Sequence, residues 1–207
     1  DAEQEYVFKG TANDGDIVIS VSAGDEILIG NPYTSALDAD QFIHDNIGVI
    51  DGTIYYYEQF QTNDTHNLVE YQGGYGVYKL LGGVGSPAQP VNGGVALKGG
   101  PKKNIPVGQG FFVRAYTNGN ITFTNSQRVF VKESSGESTF FRTAQESVTD
   151  TRIKFWLQFK DANENESTIA LGYDTNASDD FDYGYDSRTY NDLSNEIYWT
   201  IADEELA

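Results

Sequence analysis

The stretch Glu26-Ile27-Leu28-Ile29-Gly30-Asn31-Pro32-Tyr33-Thr34-Ser35-Ala36-Leu37-Asp38-Ala39-Asp40 is where a strand, a turn and a helix meet. Glu26 to Ile29 reads as a short strand. Asn31 precedes a proline, which pushes it away from helical angles towards an extended or turn form. Pro32 fixes its own φ and removes a backbone donor. Ser35 or Thr34 is then expected to cap a short helix over Ser35 to Asn46, with Asp38 in the first turn, where the helix dipole favours a negative charge. Leu37, Phe42 and Ile43 share one face of that helix. A strand therefore stops, the chain turns, and a short helix covers the end of a sheet. The stretch holds no nucleophile, base or metal cage.

Outward from it the chain is a succession of short strands. On the N-terminal side, Tyr6 to Lys9 and Asp16 to Ser22 are rich in β-branched and aromatic residues, with Asp14-Gly15 as a hairpin turn between them. Ala23 to Asp25 turns the chain into Glu26, so a three-stranded meander is expected. On the C-terminal side, Thr53 to Phe60 alternates, with Ile54, Tyr56 and Glu58 on one face and Tyr55, Tyr57 and Gln59 on the other. Gln61 to Asn67 is a polar loop, and Tyr75 to Leu80 is a strand. Gly82 to Gly100 reads as a long loop; it lacks the Gly-Lys-Ser/Thr ending of a phosphate loop. Phe111 to Tyr116 leads through the hairpin signal Asn118-Gly119 to Ile121–Thr124. Arg128–Val131 and Thr139–Arg142 follow.

Arg152 to Lys160 alternates cleanly, and Ile153, Phe155, Leu157 and Phe159 are expected in the core. Arg152, Lys154, Trp156, Gln158 and Lys160 form a basic, partly exposed face. Asp161 to Glu166 is a turn, Ser167 to Tyr173 the return strand, and Glu196 to Ile201 the last strand. Roughly twelve to fifteen short strands and one short helix predict an all-β fold, an antiparallel β-sandwich of jelly-roll type. It is read as a single domain over 1–201, with a sub-boundary near 145–150 as the alternative, and 202–207 as a frayed acidic tail.

Composition narrows the function. With 207 residues the chain has enough length for a core without staples. It has no cysteine, hence no disulfide framework, thiolate chemistry or Cys-based zinc site. A net charge of −18 opposes nucleic-acid binding and docking on anionic lipid, since both need Lys and Arg. It fits an exported protein kept soluble by self-repulsion. No apolar run approaches the ~18 residues of a membrane span, and no signal peptide is visible. The chain is expected to be a piece of a longer protein.

Candidate sites are few. His44 and His66 are the only histidines, and no Gly-x-Ser-x-Gly elbow accompanies them. Glycosidase chemistry needs two carboxylates, and 31 acidic residues single out no pair. Glu58 on its aromatic strand is the first candidate acid; a cross-strand partner for a basic residue is the competing reading. Calcium wants several oxygen ligands. Asp174, Asp179, Asp180, Asp182 and Asp186 fall within one short segment and form the first candidate cation loop. Asp161, Asn163 and Asn165 form the second, against a plain hairpin turn. Exposed aromatics beside polar groups could stack sugar faces, with Tyr55, Tyr57, Trp156, Tyr183, Tyr185 and Trp199 as candidates.

Ile27 to Ile43 also resembles a segment that recurs in large secreted and cell-surface proteins of the Bacteroidetes, shortly before a C-terminal sorting domain for type IX secretion. Further matches follow in order at Tyr55–Glu58, Tyr78–Gly83, Ile105–Val113, Ile121–Asn125, Phe140–Arg142, Arg152–Leu157, Leu171–Tyr173 and the acidic Asp179–Asp186. The resemblance implies a β-sandwich region of a multidomain exported protein and carries no shared catalytic residue. No sorting domain is recognisable before Ala207. The expectation is a non-catalytic module at the outer cell surface or beyond it. Its neighbours would be other domains of the same polypeptide, and its work adhesion, spacing or support of the secretion signal. The alternative is a glycan-binding module attached to a polysaccharide-degrading enzyme, favoured if aromatics lie exposed beside polar groups.

Overall fold

A computed structural model describes residues 7, 9–59, 67–85, 99–132, 135, 138, 151–162, 166–188, 195, 197–201 and 204–206. The fold is all-β and antiparallel, with one helix. One layer is a five-stranded sheet. Its order is β2 (Glu26–Gly30), β8 (Gly110–Arg114), β4 (Ile54–Gln59), β5 (Gly73–Lys79) and β6 (Gly82–Val84). The opposing layer holds the ladder of β1 (Ile17–Val21) with β9 (Gly119–Phe123). Beside it is a three-stranded ladder in which β3 (Ala36–Asp38) lies between β10 (Arg128–Val129) and β7 (Asn104–Ile105). Helix α1 (Ala39–Asn46) closes one side.

Alternation decides what each strand buries. Ile27, Ile29, Phe111, Val113, Ile54, Tyr56 and Tyr78 point inward from the five-stranded sheet, and Ile17, Ile19, Val21, Ile121 and Phe123 meet them from the other layer. Phe42 of α1 fills the middle, stacked on Phe123 at 5.0 Å and edge-on to Phe111 at 5.6 Å. Two buried asparagines join the layers. Asn31 Nδ2 donates to the carbonyls of Ser35 (2.8 Å), Ile105 (3.1 Å) and Pro106 (3.2 Å), while its Oδ1 accepts from Tyr33 N at 3.0 Å. Asn46 ties the end of α1 to β9 by donating to Phe42 O and Thr122 O and accepting from Thr122 N at 2.7 Å.

The faces of Thr53–Phe60 lie as the alternation predicted; several other expectations are corrected. The expected meander is not formed by its second and third strands: β1 pairs with β9, and β2 with β8, while Tyr6 and Phe8 of the first lie outside the described residues. At the turn between β1 and β2, Gly24 sits at φ 87° and donates to Ala115 O, while Ala115 N donates to Asp25 O. Asn118 accepts from Ala23 N at 2.9 Å. The two connections thus bind each other, and Asn118-Gly119 carries the chain between layers instead of closing a hairpin. The helix starts at Ala39, because β10 and β7 draw Ala36 to Asp38 into a ladder. Its cap is Asp38, whose Oδ1 accepts from Gln41 N at 3.2 Å, in place of Ser35 or Thr34. The Gly-rich loop begins with a strand, β6, and its residues 86–98 lie outside the described ones. So do Thr139–Arg142 and the alternative boundary at 145–150.

The largest reversal concerns β11 (Lys154–Lys160) and β12 (Glu166–Gly172), an antiparallel hairpin. Ile153, Phe155, Leu157 and Phe159, expected in the core, are 77%, 44%, 41% and 37% exposed. The hairpin lies on the outside of the five-stranded sheet, because the inner space is already filled from β1, β9 and α1. Its Ala170 side packs on Val84, Val77 and Tyr55, and Lys154 Nζ donates to Leu81 O. Near Phe155, Trp199 of β13 (Trp199–Ile201) stands edge-on at 6.3 Å. The acidic end, expected to fray, forms β14 (Glu204–Leu206) against β13, with Leu206 buried.

Residues 174–188 form a strap across the mouth of the sandwich. Leu80 N donates to Gly184 O at 2.8 Å, and Gly184 N to Asp51 O at 3.2 Å. A Cβ on Gly52 would come within 2.3 Å of the Gly184 backbone, and both glycines have positive φ (78° and 85°). Tyr183 stacks on Tyr116 at 4.2 Å. Arg188 covers Phe181 and holds Glu204 through two hydrogen bonds.

Two outcomes follow from these contacts. Asn31→Ala takes the amide from the Ser35, Ile105 and Pro106 carbonyls, of which Pro106 O keeps Gln109 N, and should lower unfolding free energy by about 2–4 kcal/mol in urea titration; a loss below about 1 kcal/mol would mean that water replaces the amide. Gly52→Ala forces the strap off and should cost on the order of 2 kcal/mol or more. Hydrogen exchange at Leu80 and Gly184 should rise with it, and unchanged protection there would show that the strap is held elsewhere.

Candidate functional site

The outward face of the five-stranded sheet is built from alternate residues of the core strands. In β2 and β8 the outward pairs are Glu26/Arg114, Leu28/Phe112 and Gly30/Gly110. In β4 and β5, Tyr55 lies opposite Val77 and Tyr57 opposite Tyr75. The β11–β12 hairpin covers Tyr55, Val77 and Val84. It leaves an open groove of about 460 Å³ lined by Leu28, Tyr57, Tyr75, Gln109, Gly110 and Phe112.

The groove's walls are aromatic and its floor is bare. Tyr57 meets Tyr75 at 5.4 Å and 64°, and Tyr75 meets Phe112 at 5.9 Å and 80°. Leu28 is 64% and Tyr57 41% exposed. Tyr57 lies over Gly73, where a Cβ would fall 2.3 Å from the phenol oxygen. At Gly110 a Cβ would meet only Leu28 Cδ1 (3.5 Å) and Ile29 O (3.7 Å), so side-chain space is free there and the groove occupies it. Gln109 supplies an amide at one end, donating from Nε2 to Gly110 O at 2.7 Å. Desolvation raises the Tyr57 hydroxyl pKa, which keeps that group a neutral donor and acceptor.

Of the six aromatics singled out from the sequence, Tyr57 alone lines this groove. Tyr55 is buried beneath the hairpin and donates its hydroxyl to Asp51 Oδ2 at 3.1 Å. Burial also raises the Asp51 carboxyl, against hydrogen bonds from Thr53 N and Tyr55. Tyr183 is taken up by Tyr116, and Tyr185 packs on the core. Trp156 is half exposed on the hairpin, lining a small cavity with Val84, and the Trp199 indole Nε1 is buried without a hydrogen-bond partner among the described residues. Tyr75, Phe112, Leu28, Gln109 and Gly110 were missed. The alternation of Tyr55 with Tyr57 was the available signal, but only the sheet order puts β2 and β8 beside them.

The acidic residues are placed differently from a cage. Asp174 accepts from Asn176 N (2.9 Å) and Nδ2 (3.0 Å) and pairs with Arg152 at 3.0 Å. The Asn176 backbone N–H is the first cause of its lowered pKa. Asp182 accepts from Ser178 N and Oγ, and Asp186 accepts from Asp182 N at 2.8 Å. Asp179 and Asp180 are exposed. Asp161 accepts from Asn195 Nδ2 at 3.3 Å, while Asn163 and Asn165 lie outside the described residues, as does His66. His44 is exposed in the last turn of α1. Among the described residues no three His, Cys, Asp or Glu side chains gather closely enough to hold a metal ion, and no helix is long and apolar enough to cross a membrane. Glu58, the candidate acid, is buried on the inward face, on the opposite side of β4 from the groove.

The strap does hold one electrostatic device. Lys79 is 2% exposed, and burial lowers its ammonium pKa to about 8, with Asp186 opposing the shift. Asp186 is itself raised by burial. A folded-state lysine pKa below the unfolded value means that the unfolded chain binds more protons above about pH 8, so folding stability rises with pH there. Relative to Lys79→Met, the wild type should gain about 2 kcal/mol between about pH 7.5 and about pH 9.5 in paired urea titrations. Parallel curves for the two proteins would place the proton elsewhere.

No curated protein matches the chain, and no solved structure does. One family model matches residues 1–207, and the chain accordingly belongs to the family described as Domain of unknown function (DUF8693).

Proposed function

We propose that the chain is a non-catalytic binding module whose open sheet face takes a glycan, serving adhesion in the exported, cell-surface setting that the resemblance to type IX-secreted proteins implies. The carrying observation is the groove of Leu28, Tyr57, Tyr75 and Phe112 with Gln109 at its end. Aromatic walls offer ring faces to sugar C–H groups, and the tyrosine hydroxyls and the Gln109 amide offer partners to sugar hydroxyls. The backbone beneath is already paired: β8 lies between β2 and β4, and β4 between β8 and β5. A peptide adding itself as a strand finds no ladder beneath the three rings; the sheet edge nearest the groove is β2, which carries Leu28 at its rim. A second copy would bring its own −18 charge to the contact.

A printed array of natural glycans tests this with wild type, Tyr57→Ala and Gly110→Leu. Gly110→Leu fills the groove from an unstrained position, so its melting temperature should stay within a few degrees of wild type. Glycan retention by wild type should fall at least about tenfold, or about 1.4 kcal/mol, in both variants. Retention equal in all three proteins would remove the groove from the explanation. A concentration-dependent dimer in sedimentation, abolished by Gly110→Leu, would put a second copy of the chain in place of the glycan.

A further inference from the structure

The shape and charge of the groove narrow the ligand further, on the basis of the glycan reading above. We infer that it takes a single, uncharged polysaccharide chain in a bent or twisted form, and neither a crystalline surface nor a polyanion.

The ring geometry argues the first half. Tyr57, Tyr75 and Phe112 follow one another at 5.4 and 5.9 Å, but successive planes turn by 64° and 80°. A flat crystal face needs aromatic rings in one plane, and Tyr75 stands steeply across the planes of both of its neighbours. A free chain can present successive sugar faces at successive angles and sink into the space over Gly110. The volume, about 460 Å³, suits a few rings enclosed from the side. Tyr75 is in edge-on contact with both Tyr57 and Phe112, so the three rings make a faceted surface and not a flat platform.

The charges argue the second half. None of the six lining residues is ionisable to a cation. Arg114, on the same face two residues beyond Phe112, pairs with Glu26. Lys102, whose Nζ is buried, does not line the groove but a neighbouring cavity of about 10 Å³ that shares Gln109 with it. A polyuronate or sulfated chain would therefore meet no counter-charge among the described lining residues and the field of a −18 protein around them. Neutral hydroxyls need only the neutral donors and acceptors present.

The test is affinity electrophoresis of wild type and Gly110→Leu. The gels contain barley β-glucan, galactomannan, pullulan, polygalacturonate or alginate, and pull-downs use microcrystalline cellulose and α-chitin. The expected result is retardation by at least one of the three neutral polymers, lost in Gly110→Leu, with free passage through the polyanions and no co-sedimentation with the crystals. Retardation by polygalacturonate or alginate, lost in the variant, would keep the glycan reading and overturn the uncharged ligand. Variant-sensitive co-sedimentation with cellulose or chitin would keep it and overturn the single chain. Passage through every gel with nothing pelleted would overturn the glycan reading and this inference with it, as would retardation that Gly110→Leu leaves intact.

Discussion

The amide of Asn31 is the constraint on which the sandwich depends. It lies where β2 ends, and it is 7% exposed. One side chain satisfies three carbonyls that belong to two separate chain segments, and its oxygen holds Tyr33 N. Its own N–H reaches Gln109 O at 3.1 Å. The amide therefore sets the distance between the end of β2 and the approach to β8. Buried carbonyls without partners would be costly, so the segments stay where the amide reaches them. Tyr33 follows, donating its hydroxyl to Gly15 O, with the Arg128 guanidinium over its ring. The pairing of Gly30 with Gly110, and hence the floor of the groove, is placed by this one clasp.

Local signals in the sequence were legible and long-range ones were not. Strand positions, the facing of Tyr55 against Tyr57, and the turn at Asn31-Pro32 follow from period, proline geometry and β-branching. What those signals lack is a partner. Asn118-Gly119 has hairpin chemistry, yet the Asn118 side chain is spent on Ala23 N and the chain crosses to the other layer. The β11 strand shows the same limit. A clean apolar alternation says that one face is drier; it cannot say that α1, β1 and β9 have already filled the interior. Most of the groove escaped notice because its residues come from four strands with large sequence separations, and each looks ordinary alone. The acidic strap was visible as charge, but that Asp174, Asp182 and Asp186 accept backbone N–H groups required knowing which N–H groups lie opposite.

The outer hairpin and the strap do complementary work. The hairpin covers one half of the outward sheet face and leaves the other half open, so the groove has an edge. The strap closes the mouth near Lys79 through a glycine-to-glycine contact that no side chain would permit. The groove and the strap contact lie apart, Gly110 on the outward face of β8 and Gly184 against Gly52 and Leu80.

Along β2 and β8 the core and the groove are written in alternate letters. Ile27, Ile29, Phe111 and Val113 answer to the interior; Leu28, Gly30, Gly110 and Phe112 answer to whatever lies outside. Drift in one set is therefore nearly silent in the other. Gly110 is the freest letter of these, since its φ is not in the left-handed region and a Cβ there would meet only Leu28 Cδ1 and Ile29 O, at ordinary contact distance. On the proposed glycan reading, a lineage could exchange one ligand for another there through single substitutions, with no rebuilding of the interior. Relatives with the same core and different residues at this position would then be a set of related receptors cut from one frame.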